Sequence, residues 1–574
     1  MAAVSGNAFA KGDVAAGHSR SAACVSCHGS IGVSPTDAWP TLAGQGYAYL
    51  VKQLQAYRDG TRKSPLMDQM AKTLTDSDIE NLAAFYSTLT SPSTAALASR
   101  ASAPAGEIAH APIITSPDFV VPVAHTTAQY WADKLPAGEA RTVIVQKCQL
   151  CHTLQRGIAF AQSREQWQRI VESMIARGSP VTPEEVPAVV DYFTRNFGPD
   201  SPAIPEVGMK PCKAGEWPKG SSDFRSRWQG AYNVWVSNQQ GASIDVVDSA
   251  TNKIVNRIKC ISAPDRVEFS HDGNTAYAPD RFERNVTVID TRTGAIKAKI
   301  PLIDRPNSAA ISRDSKKLYV GIWPVSGDDN KRGYIQVIDT GTLKVAKTIQ
   351  TKGGIHLPAI SPDGKLLLAL SSAGRFVDAY DTTTDELLYT CCTGSEVGSM
   401  HMEAGPDGST SRIFYSQAFS GVVVADARTG KELRRIDHPV DTQGPSKGIR
   451  HQMPTFVGSG FHGGEISPDG KSFWAIQASW VYRYALPSLT AIGDVHLSLV
   501  DQSGRSFAQP LEGTALTISP DSRKIYAIRG GRNLLAVIDA ETMKEEALIP
   551  TGEYGLHVSI WPGSAHKGIA NEDQ

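Results

Sequence analysis

An internal repeat fills the chain from residue 229 onward and constrains its fold more than any other feature. Residues 360–368 and 466–474 both contain an apolar segment, a Ser-Pro-Asp-Gly turn and a second apolar segment. Looser copies of this turn begin at Ser270, Ser312, Gly405 and Ser519. Each copy predicts two short strands joined by a tight turn.

A second hairpin follows each copy and is built around an aspartate and a threonine or a similar turn residue. Residues 289–294 and 338–342 are clear examples, and others begin at Asp248, Asp381, Asp426, Leu486 and Asp539. Two hairpins make a four-stranded blade, and the second hairpins number seven. Residues 233–248 lack a first strand, which residues 556–560 supply. The repeat therefore predicts an all-β, seven-bladed propeller over residues 229–566, closed by its two ends so that no sheet edge stays free.

The repeats resemble those of propellers whose blades read Ser-Pro-Asp-Gly followed by Ile-Asp-Thr, the YVTN type. An eight-bladed quinoprotein propeller is the alternative. The count of hairpins and the absence of that family's tryptophan docking motifs disfavour it.

Two Cys-x-x-Cys-His motifs precede the propeller. In this spacing two thiols form thioethers with the vinyl groups of one haem, and the histidine binds its iron. A zinc ribbon would place its two Cys-x-x-Cys pairs roughly 15–20 residues apart, whereas more than a hundred residues separate these. The motifs therefore predict two covalently bound c-type haems, attached at Cys24, Cys27 and His28 and at Cys148, Cys151 and His152.

Residues 11–90, which contain the first motif, resemble a class I cytochrome c. Residues 47–57 repeat apolar side chains at helical spacing, and residues 76–86 predict a closing helix with Thr75 as its N-cap. The resemblance implies a methionine as the sixth iron ligand. Met67, in Pro65-Leu66-Met67, is the candidate, and Met70 is the alternative. Core packing is the other common role of a methionine.

A second cytochrome c domain is predicted over residues 136–198, after an Ala-, Pro- and Ser-rich linker at 91–135. Residues 140–147 lead into the motif, 167–177 form an amphipathic helix and 186–197 close the module. Met174 lies on the middle helix and is the candidate sixth ligand. If Met174 instead packs in the core, the iron is five-coordinate or histidine-ligated. The predicted fold is therefore multidomain, with two all-α cytochrome c domains, a linker at 199–228, the propeller and a tail at 567–574.

Composition excludes some functions. A formal net charge of -1 disfavours a nucleic-acid binder. The absence of any run of 18 apolar residues disfavours a conventional membrane-spanning helix. Residues 1–10 lack the charged and apolar regions of a signal peptide, but Ala8-Phe9-Ala10 resembles a cleavage site and favours a trimmed export remnant. A periplasmic location is expected, with a soluble cytochrome c or cupredoxin as electron carrier.

Four cysteines lie outside the haem motifs. Cys212 and Cys260 are candidates for a disulfide in an oxidising compartment, and the neighbours Cys391 and Cys392 for a vicinal bridge. Buried free thiols are the alternative for each pair.

One position of the repeat collects histidines. In such a blade the innermost strand begins at the central channel, a few residues before the Ser-Pro-Asp-Gly turn, so equivalent positions ring one mouth. Four of the fourteen histidines fall there, which predicts a ligand or substrate site. Imidazoles in such a ring bind copper or another transition metal, ligate a haem, or act as acid and base. The candidates are Asp265, Arg266, Asn307, His356, Met400, His401, His462, Thr514 and His557, with His451 and Glu512 as possible additions.

Two families are distantly similar. Cytochrome c/haem d nitrite reductases also place a cytochrome before a propeller, but this chain has two haem c motifs and one blade fewer. Quinohaemoprotein amine dehydrogenases combine a propeller with a dihaem cytochrome on separate chains, and their quinone-bearing subunit has no counterpart here. The prediction is a periplasmic oxidoreductase that moves electrons between a small substrate or extra cofactor at the propeller mouth and a soluble carrier. The alternatives are a non-enzymatic electron-transfer or cofactor-binding protein whose propeller docks a partner, and a nitrite-reductase-like enzyme with a further haem in the propeller. A cofactor beyond the two haems separates these hypotheses.

Overall fold

The computed structural model forms two units, residues 1–108 with 446–456 and residues 109–445 with 457–574. The residues that the structure describes are 12–21, 24, 28, 32, 40–64, 67–89, 110–122, 124, 127–148, 154–158, 161–176, 179–201, 212–324, 332–371, 375–392, 397–405, 407–417, 421–436, 463–477, 480–498, 500–504 and 515–562.

Among the residues that the structure describes, the first unit contains four α-helices, α1 (Val14–Arg20), α2 (Tyr47–Arg58), α3 (Met67–Lys72) and α4 (Asp76–Thr88). Thr75 caps α4 as predicted, because its hydroxyl accepts the N–H of Asp78 at 3.1 Å while the Asp78 carboxylate accepts the N–H of Thr75 at 2.9 Å. Leu82 and Phe85 of α4 pack on Leu50 of α2. The periodic apolar residues of the sequence thus form one small helical core.

Glycines set the distance between α1 and α4. A Cβ atom on Gly17 of α1 would lie 1.8 Å from the carbonyl oxygen of Asn81, and one on Gly12 would lie 2.1 Å from that of Glu80. The two helices therefore meet through backbone atoms, and α1 leads from this crossing directly into the first haem motif.

In the described residues of the second unit before the propeller, five α-helices occur, α5 (Ala128–Asp133), α6 (Arg141–Lys147), α7 (Gln155–Ile158), α8 (Arg164–Ala176) and α9 (Val186–Phe197). The rings of Trp167 on α8 and Phe193 on α9 stack with centroids 4.6 Å apart. Trp131 of α5 is fully buried in the same core, so this module begins before residue 136. The end of the expected linker is therefore part of the helical module.

The remaining chain folds into seven four-stranded antiparallel sheets, the blades. The strands of blades one to four are β1 (Asn233–Asn238), β2 (Ser243–Asp248) and β3 (Lys253–Lys259); β4 (Glu268–Phe269), β5 (Thr275–Asp280), β6 (Asn285–Asp290) and β7 (Ile296–Pro301); β8 (Pro306–Ile311), β9 (Lys317–Ile322), β10 (Gly333–Asp339) and β11 (Lys344–Thr351); β12 (Leu357–Ile360), β13 (Leu366–Ser371), β14 (Phe376–Asp381) and β15 (Leu387–Cys392).

Blades five to seven follow the same pattern, and the last strand returns to blade one. These strands are β16 (Val397–Ala404), β17 (Thr410–Gln417), β18 (Gly421–Asp426) and β19 (Glu432–Ile436); β20 (Gly463–Ile466), β21 (Ser472–Gln477), β22 (Trp480–Ala485) and β23 (Thr490–His496); β24 (Ala515–Ile518), β25 (Lys524–Arg529), β26 (Leu534–Asp539) and β27 (Lys544–Pro550); and β28 (Gly555–Trp561).

The ends of the propeller close the ring as predicted. Strand β28 pairs antiparallel with β1, so that Val558 lies opposite Val236 and Ser559 opposite Trp235. Apolar side chains of neighbouring blades fill the space between the sheets, and each blade thereby covers one face of the next.

The Ser-Pro-Asp-Gly turns explain why each first hairpin forms locally. The hydroxyl of Ser361 donates to Asp363 Oδ1 at 2.6 Å and accepts the N–H of Leu366 at 2.8 Å. Gly364 has a φ of +74°, a conformation that glycine adopts without strain. Together these contacts reverse the chain between β12 and β13.

Two segments outside the blades are attached to the propeller. Residues 110–119 lie along β27, where Ile114 N–H donates to the carbonyl of Leu548 at 2.8 Å and Leu548 N–H donates to that of Pro112 at 2.9 Å. Cys212 forms a disulfide with Cys260, next to blade two. The Cys392 side chain lies outside the described part of the molecule, so the vicinal bridge stays a prediction. Among the described residues, no helix has the length and apolar character needed to cross a membrane.

Candidate functional site

The first haem motif follows α1 directly. The N–H of Cys24 donates to the carbonyl of Ser21 at 2.7 Å, and the N–H of His28 donates to that of Cys24 at 3.0 Å. This single helical turn places Cys24 and His28 on one side of the backbone. Cys27, between them, lies outside the described residues.

The His28 ring has the environment of an iron ligand. Only 3 % of the side chain is exposed, and Nδ1–H donates to the carbonyl of Pro40 at 2.7 Å. Burial lowers the pKa of His28, although the hydrogen bond to Pro40 partly opposes this. Within the described part of the chain, the buried Nε2 atom has no hydrogen-bond partner. A neutral imidazole with its second nitrogen fixed and a free lone pair fits axial ligation of a haem iron.

Both candidate methionines of the first unit lie on α3. Met67 is the first residue of this helix, and its N–H donates to the Ser64 hydroxyl at 3.3 Å. Met70 follows about one turn later. Both side chains are partly buried. Residues three apart share a helix face, so Met67 and Met70 lie on the same side of α3. Met67 therefore stays the predicted sixth iron ligand, with Met70 as the alternative.

The second motif begins where α6 ends. The N–H of Cys148 donates to the carbonyl of Ile144 at 2.9 Å, and the side chain packs on the module's aromatic core. Cys151 and His152 lie outside the described residues. Met174 is partly buried on α8, and its role as sixth ligand stays a prediction.

The inner strands of the propeller enclose a cavity at the predicted position of the repeat. Its empty volume is about 470 Å³, including the solvent-open mouth. Gly463 and Ala515 contribute from blades six and seven. Their neighbours His462 and Thr514, together with His451 and Glu512, lie outside the described residues. The structure brings together the other predicted mouth residues, Asp265, Arg266, Asn307, His356, His401 and His557.

Met400 does not belong to this site, contrary to the expectation. It is 2 % exposed and packs in the apolar core of blades four and five. Adjacent residues of a strand point to opposite faces, so β16 directs His401 into the cavity and Met400 away from it.

A buried carboxylate positions the loop that carries Asp265 and Arg266. The Asp280 side chain accepts the N–H groups of Ser262 at 2.6 Å and Ala263 at 3.1 Å. The N–H of Asp265 donates to the carbonyl of Pro279 at 2.9 Å. This loop is therefore fixed to the end of β5 before the short strand β4 begins.

Asp265 is surrounded by positive and polar groups. It is 1 % exposed, with Oδ1 3.2 Å from His557 Nε2 and Oδ2 3.7 Å from Arg281 Nη1. Burial raises the pKa of Asp265, while Arg281 and the N–H of Arg266 oppose the rise. Burial, assisted by Arg266 and Arg281, lowers the pKa of His557 to about 3. His557 is therefore uncharged at neutral pH.

Two further imidazoles enter the cavity from blades four and five. Burial lowers the pKa of His401 to about 3, and the charge of Arg266 acts in the same direction. The carbonyl of His356 accepts a hydrogen bond from Asn307 Nδ2 at 2.9 Å, which joins blade four to blade three. His401 and His557 thus resist protonation at neutral pH, which disfavours the predicted acid role for these two residues.

Arg266 lines the cavity, and Glu268 lies beside its guanidinium. Arg266 Nε lies 3.9 Å from Glu268 Oε1. Burial raises the pKa of Glu268 to about 7, and Arg266 opposes that rise. Glu268 therefore changes protonation state near neutral pH, as a proton donor or acceptor requires. The described residues contain no cluster of three or more His, Cys, Asp and Glu able to hold a metal ion.

Comparison with known proteins identifies the N-terminal domain. Residues 14–90 match the family model for cytochrome c. Over 79 residues the chain is 46% identical to cytochrome c-554(548) of Halomonas halodenitrificans, covering 13% of this chain and 95% of that protein. The chain belongs to the cytochrome c family. Its N-terminal domain is therefore an electron-transfer domain with covalently bound haem c, and the fit of Cys24 and His28 agrees with this.

Longer relatives match this cytochrome c over the same domain. It is 42% identical to cytochrome c4 of Pseudomonas aeruginosa over 83 residues, which is 14% of this chain and 41% of that protein. It is 40% identical to the thiosulfate dehydrogenase electron acceptor of Thiomonas intermedia over 76 residues, 13% of this chain and 35% of that protein. The chain thus spans less than half the length of these two relatives.

Solved structures align with this cytochrome c over 57% of its length. Kuenenia stuttgartiensis hydrazine synthase gives a TM-score of 0.44 at 20% identity, with 97% of that chain covered. The periplasmic gluconolactonase PpgL of Pseudomonas aeruginosa gives 0.45 at 19% identity, with 98% covered.

Three groups at or beside the mouth were not predicted, namely Ser308, which lines the cavity, Glu268 beside Arg266, and Arg281 beside Asp265. Glu268 carried a signal, because it lies two positions after Arg266 and begins the inner strand β4. Arg281 carried none, since it belongs to the turn between β5 and β6 and reaches Asp265 only through the fold.

Proposed function

We propose that this cytochrome c family member is a periplasmic dihaem oxidoreductase. In this proposal, a small molecule at the propeller mouth exchanges electrons with a soluble carrier, a cytochrome c or a cupredoxin, through two haems. The observation that carries the proposal is the convergence of His356, His401 and His557 with Arg266 and Asp265 in one cavity. A scaffold that only docks a partner has no need of imidazoles, arginine and carboxylate in its central channel.

The second haem is supported by the surroundings of Cys148. Burial raises the pKa of this thiol to about 12, and the charge of Glu185 adds to the rise. A redox-active Cys-x-x-Cys pair relies on a lowered thiol pKa, so the raised pKa of Cys148 disfavours a redox dithiol at this motif. When bound, each haem supplies reversible one-electron transfer. Cys148, Cys151 and His152 would hold the second haem, with Met174 as its sixth ligand.

At the mouth, the chain's own residues bind and orient the small molecule. The uncharged imidazoles of His401 and His557 donate or accept hydrogen bonds, or ligate a metal or haem iron. Glu268 exchanges a proton near neutral pH. The redox-active group at the mouth is either the substrate itself or an additional cofactor of the copper or haem d type, which His462 or His451 would help to hold.

The test is a haem and metal inventory of the purified holoprotein. Pyridine haemochrome spectra count haem c per chain, and the Cys148→Ala/Cys151→Ala variant is compared with wild type. We expect two haems in wild type and one in the variant. One haem in both proteins refutes the dihaem proposal.

The enzymatic part of the proposal is tested by acidified acetone extraction and elemental analysis. An extractable chromophore or a bound metal beyond haem iron, lost in His356→Ala, supports a catalytic centre at the mouth. If neither is present and no small-molecule reductant or oxidant changes the haem spectrum, the propeller has a docking role.

A further inference from the structure

Arg266 presents an unused guanidinium to the propeller cavity. Its side chain is 27% exposed, and its nearest charged partner is Glu268 at 3.9 Å, beyond hydrogen-bond distance. Its backbone N–H donates to Asp265 at 2.8 Å, but its guanidinium forms no hydrogen bond with any residue that the structure describes. Five N–H donors in a rigid planar fork are thus available to a ligand.

Among the described groups around the cavity, none forms an ion pair with the Arg266 guanidinium within hydrogen-bond distance. The carboxyl group of Asp265 instead lies 3.7 Å from Arg281 and 3.2 Å from His557. His401 and His557 are uncharged at neutral pH because burial lowers their pKa values to about 3.

Small polar groups lie beside the arginine. Ser308 lines the cavity, is 3 % exposed, and its hydroxyl has no hydrogen-bond partner in the described part of the chain. Asn307 lines it from the same strand. A ligand with several acceptor oxygens would satisfy both the guanidinium and the hydroxyl.

We propose that the mouth binds a small oxyanion, inorganic or carboxylate, through a bidentate contact with Arg266, and that Glu268 takes up one proton from solvent on binding. This names the substrate class of the site and rests on the proposed function. In the unliganded cavity the ionised Glu268 is the nearest counter-charge of Arg266. A bound anion takes over that role, so the carboxylate becomes a like charge beside the ligand and binds a proton.

The pH dependence follows from Glu268 and its surroundings. Among the described residues, Arg266 in the loop before β4 is the charged group beside Glu268. Asp265, His356, His401 and His557 line the same cavity as Arg266, and Arg281 contacts Asp265. Burial raises the pKa of Glu268 to about 7, so the protonated form is populated below neutrality. A ligand that binds only this form gains about tenfold in apparent affinity between pH 8 and pH 6.

The experiment is calorimetric titration of the full holoprotein with nitrite, sulfate and formate, with chloride at equal ionic strength as reference. These probes separate inorganic oxyanions from a carboxylate and do not titrate between pH 6 and 8. We expect binding of at least one probe, about tenfold tighter at pH 6 than at pH 8. At pH 7, heats measured in two buffers of different ionisation enthalpy should report proton uptake.

Two variants test the assigned residues. Arg266→Gln should weaken binding at least tenfold, whereas Arg428→Gln, an equal charge change on an exposed turn of blade five, should not. Glu268→Gln should bind with an affinity independent of pH, whereas the exposed Glu541→Gln keeps the wild-type dependence. Circular dichroism and the haem spectrum confirm that each variant is folded.

The inference is refuted if no probe binds more tightly than chloride, or if Arg266→Gln binds like wild type. These outcomes leave the haem count and the reduction of the haems untouched, so they do not decide the proposed function. Conversely, oxyanion binding by a protein that carries one haem and no electron-transfer activity would refute the proposed function and keep the oxyanion site.

Discussion

The crossing of α1 and α4 gives the sharpest stability prediction. In Gly17→Ala, the new Cβ atom would lie 1.8 Å from the Asn81 carbonyl oxygen and 2.9 Å from Phe85 Cβ. Backbone atoms of a helix do not rotate away as a side chain does, so α1 must retreat along the whole interface. Overpacking of this kind costs typically about 1–3 kcal/mol, and the two close contacts place this substitution at the upper end.

The magnitude translates into a large thermal shift. For a domain of this size, 1 kcal/mol corresponds to roughly 4–8 °C, so a cost of about 3 kcal/mol lowers Tm by about 12–24 °C. The assay is thermal unfolding followed at the haem Soret band, with Gly17→Ala and its control made in the Cys148→Ala/Cys151→Ala background so that the band reports the N-terminal domain alone. Gly46→Ala is the control, because nothing lies within 4 Å of its Cβ position and its φ of -62° suits alanine. A Gly17→Ala Tm within a few degrees of the control would refute the close approach of the two helices.

Three further predictions test other parts of the molecule. Met67→Ala should lower the reduction potential of the first haem while Met70→Leu leaves it unchanged, as redox titration measures; the reverse result assigns Met70. Cys212→Ser should lower the free energy of propeller unfolding by about 4 kcal/mol for the 48-residue separation it closes, measured by denaturant titration against the disulfide-bonded wild type. Burial raises the pKa of Asp248, but hydrogen bonds from the N–H groups of Gly230 and Gln229 outweigh it and lower the pKa overall. Asp248→Asn should therefore lower the free energy of unfolding by about 1–3 kcal/mol at pH 7. Since the native pKa lies below the unfolded value, this difference should shrink as pH falls below about 4; a difference that stays constant with pH contradicts the argument.

The propeller was predictable because its signals are local. Ser361, Asp363 and Gly364 form their turn from contacts within a few residues, and the same turn recurs around the ring. The closure by β28 also followed from the repeat, since residues 233–248 lacked a first strand. Residues 110–119 carried no such signal. Their pairing with Leu548 joins segments that are far apart in sequence, and composition alone indicated a linker.

The candidate site was predictable in position but not in charge. Counting residues back from each turn predicted both Met400 and His401 at the mouth. Strand alternation directs only His401 into the cavity, and Met400 is buried in the core. The protonation state of His401 depends on its burial and on the charge of Arg266. The repeat predicts the position of Arg266 in the chain, but only the fold brings its charge close to His401. Arg281 contacts Asp265 from a turn of the same blade, and no spacing in the sequence indicates this.

The pKa values of the groups at the propeller mouth limit which residues of this cytochrome c can act as acid or base. Acid catalysis at neutral pH needs a group that is protonated there, and His401 and His557 are not, because their pKa values lie near 3. Glu268 meets this requirement with a pKa of about 7. It also lies beside Arg266, the cation that an anionic ligand would contact. The imidazoles are therefore suited to hydrogen bonding or metal ligation, while proton exchange falls to the carboxyl. If electrons leave through the haems one at a time, Glu268 can take up the proton that accompanies each change in charge at the mouth.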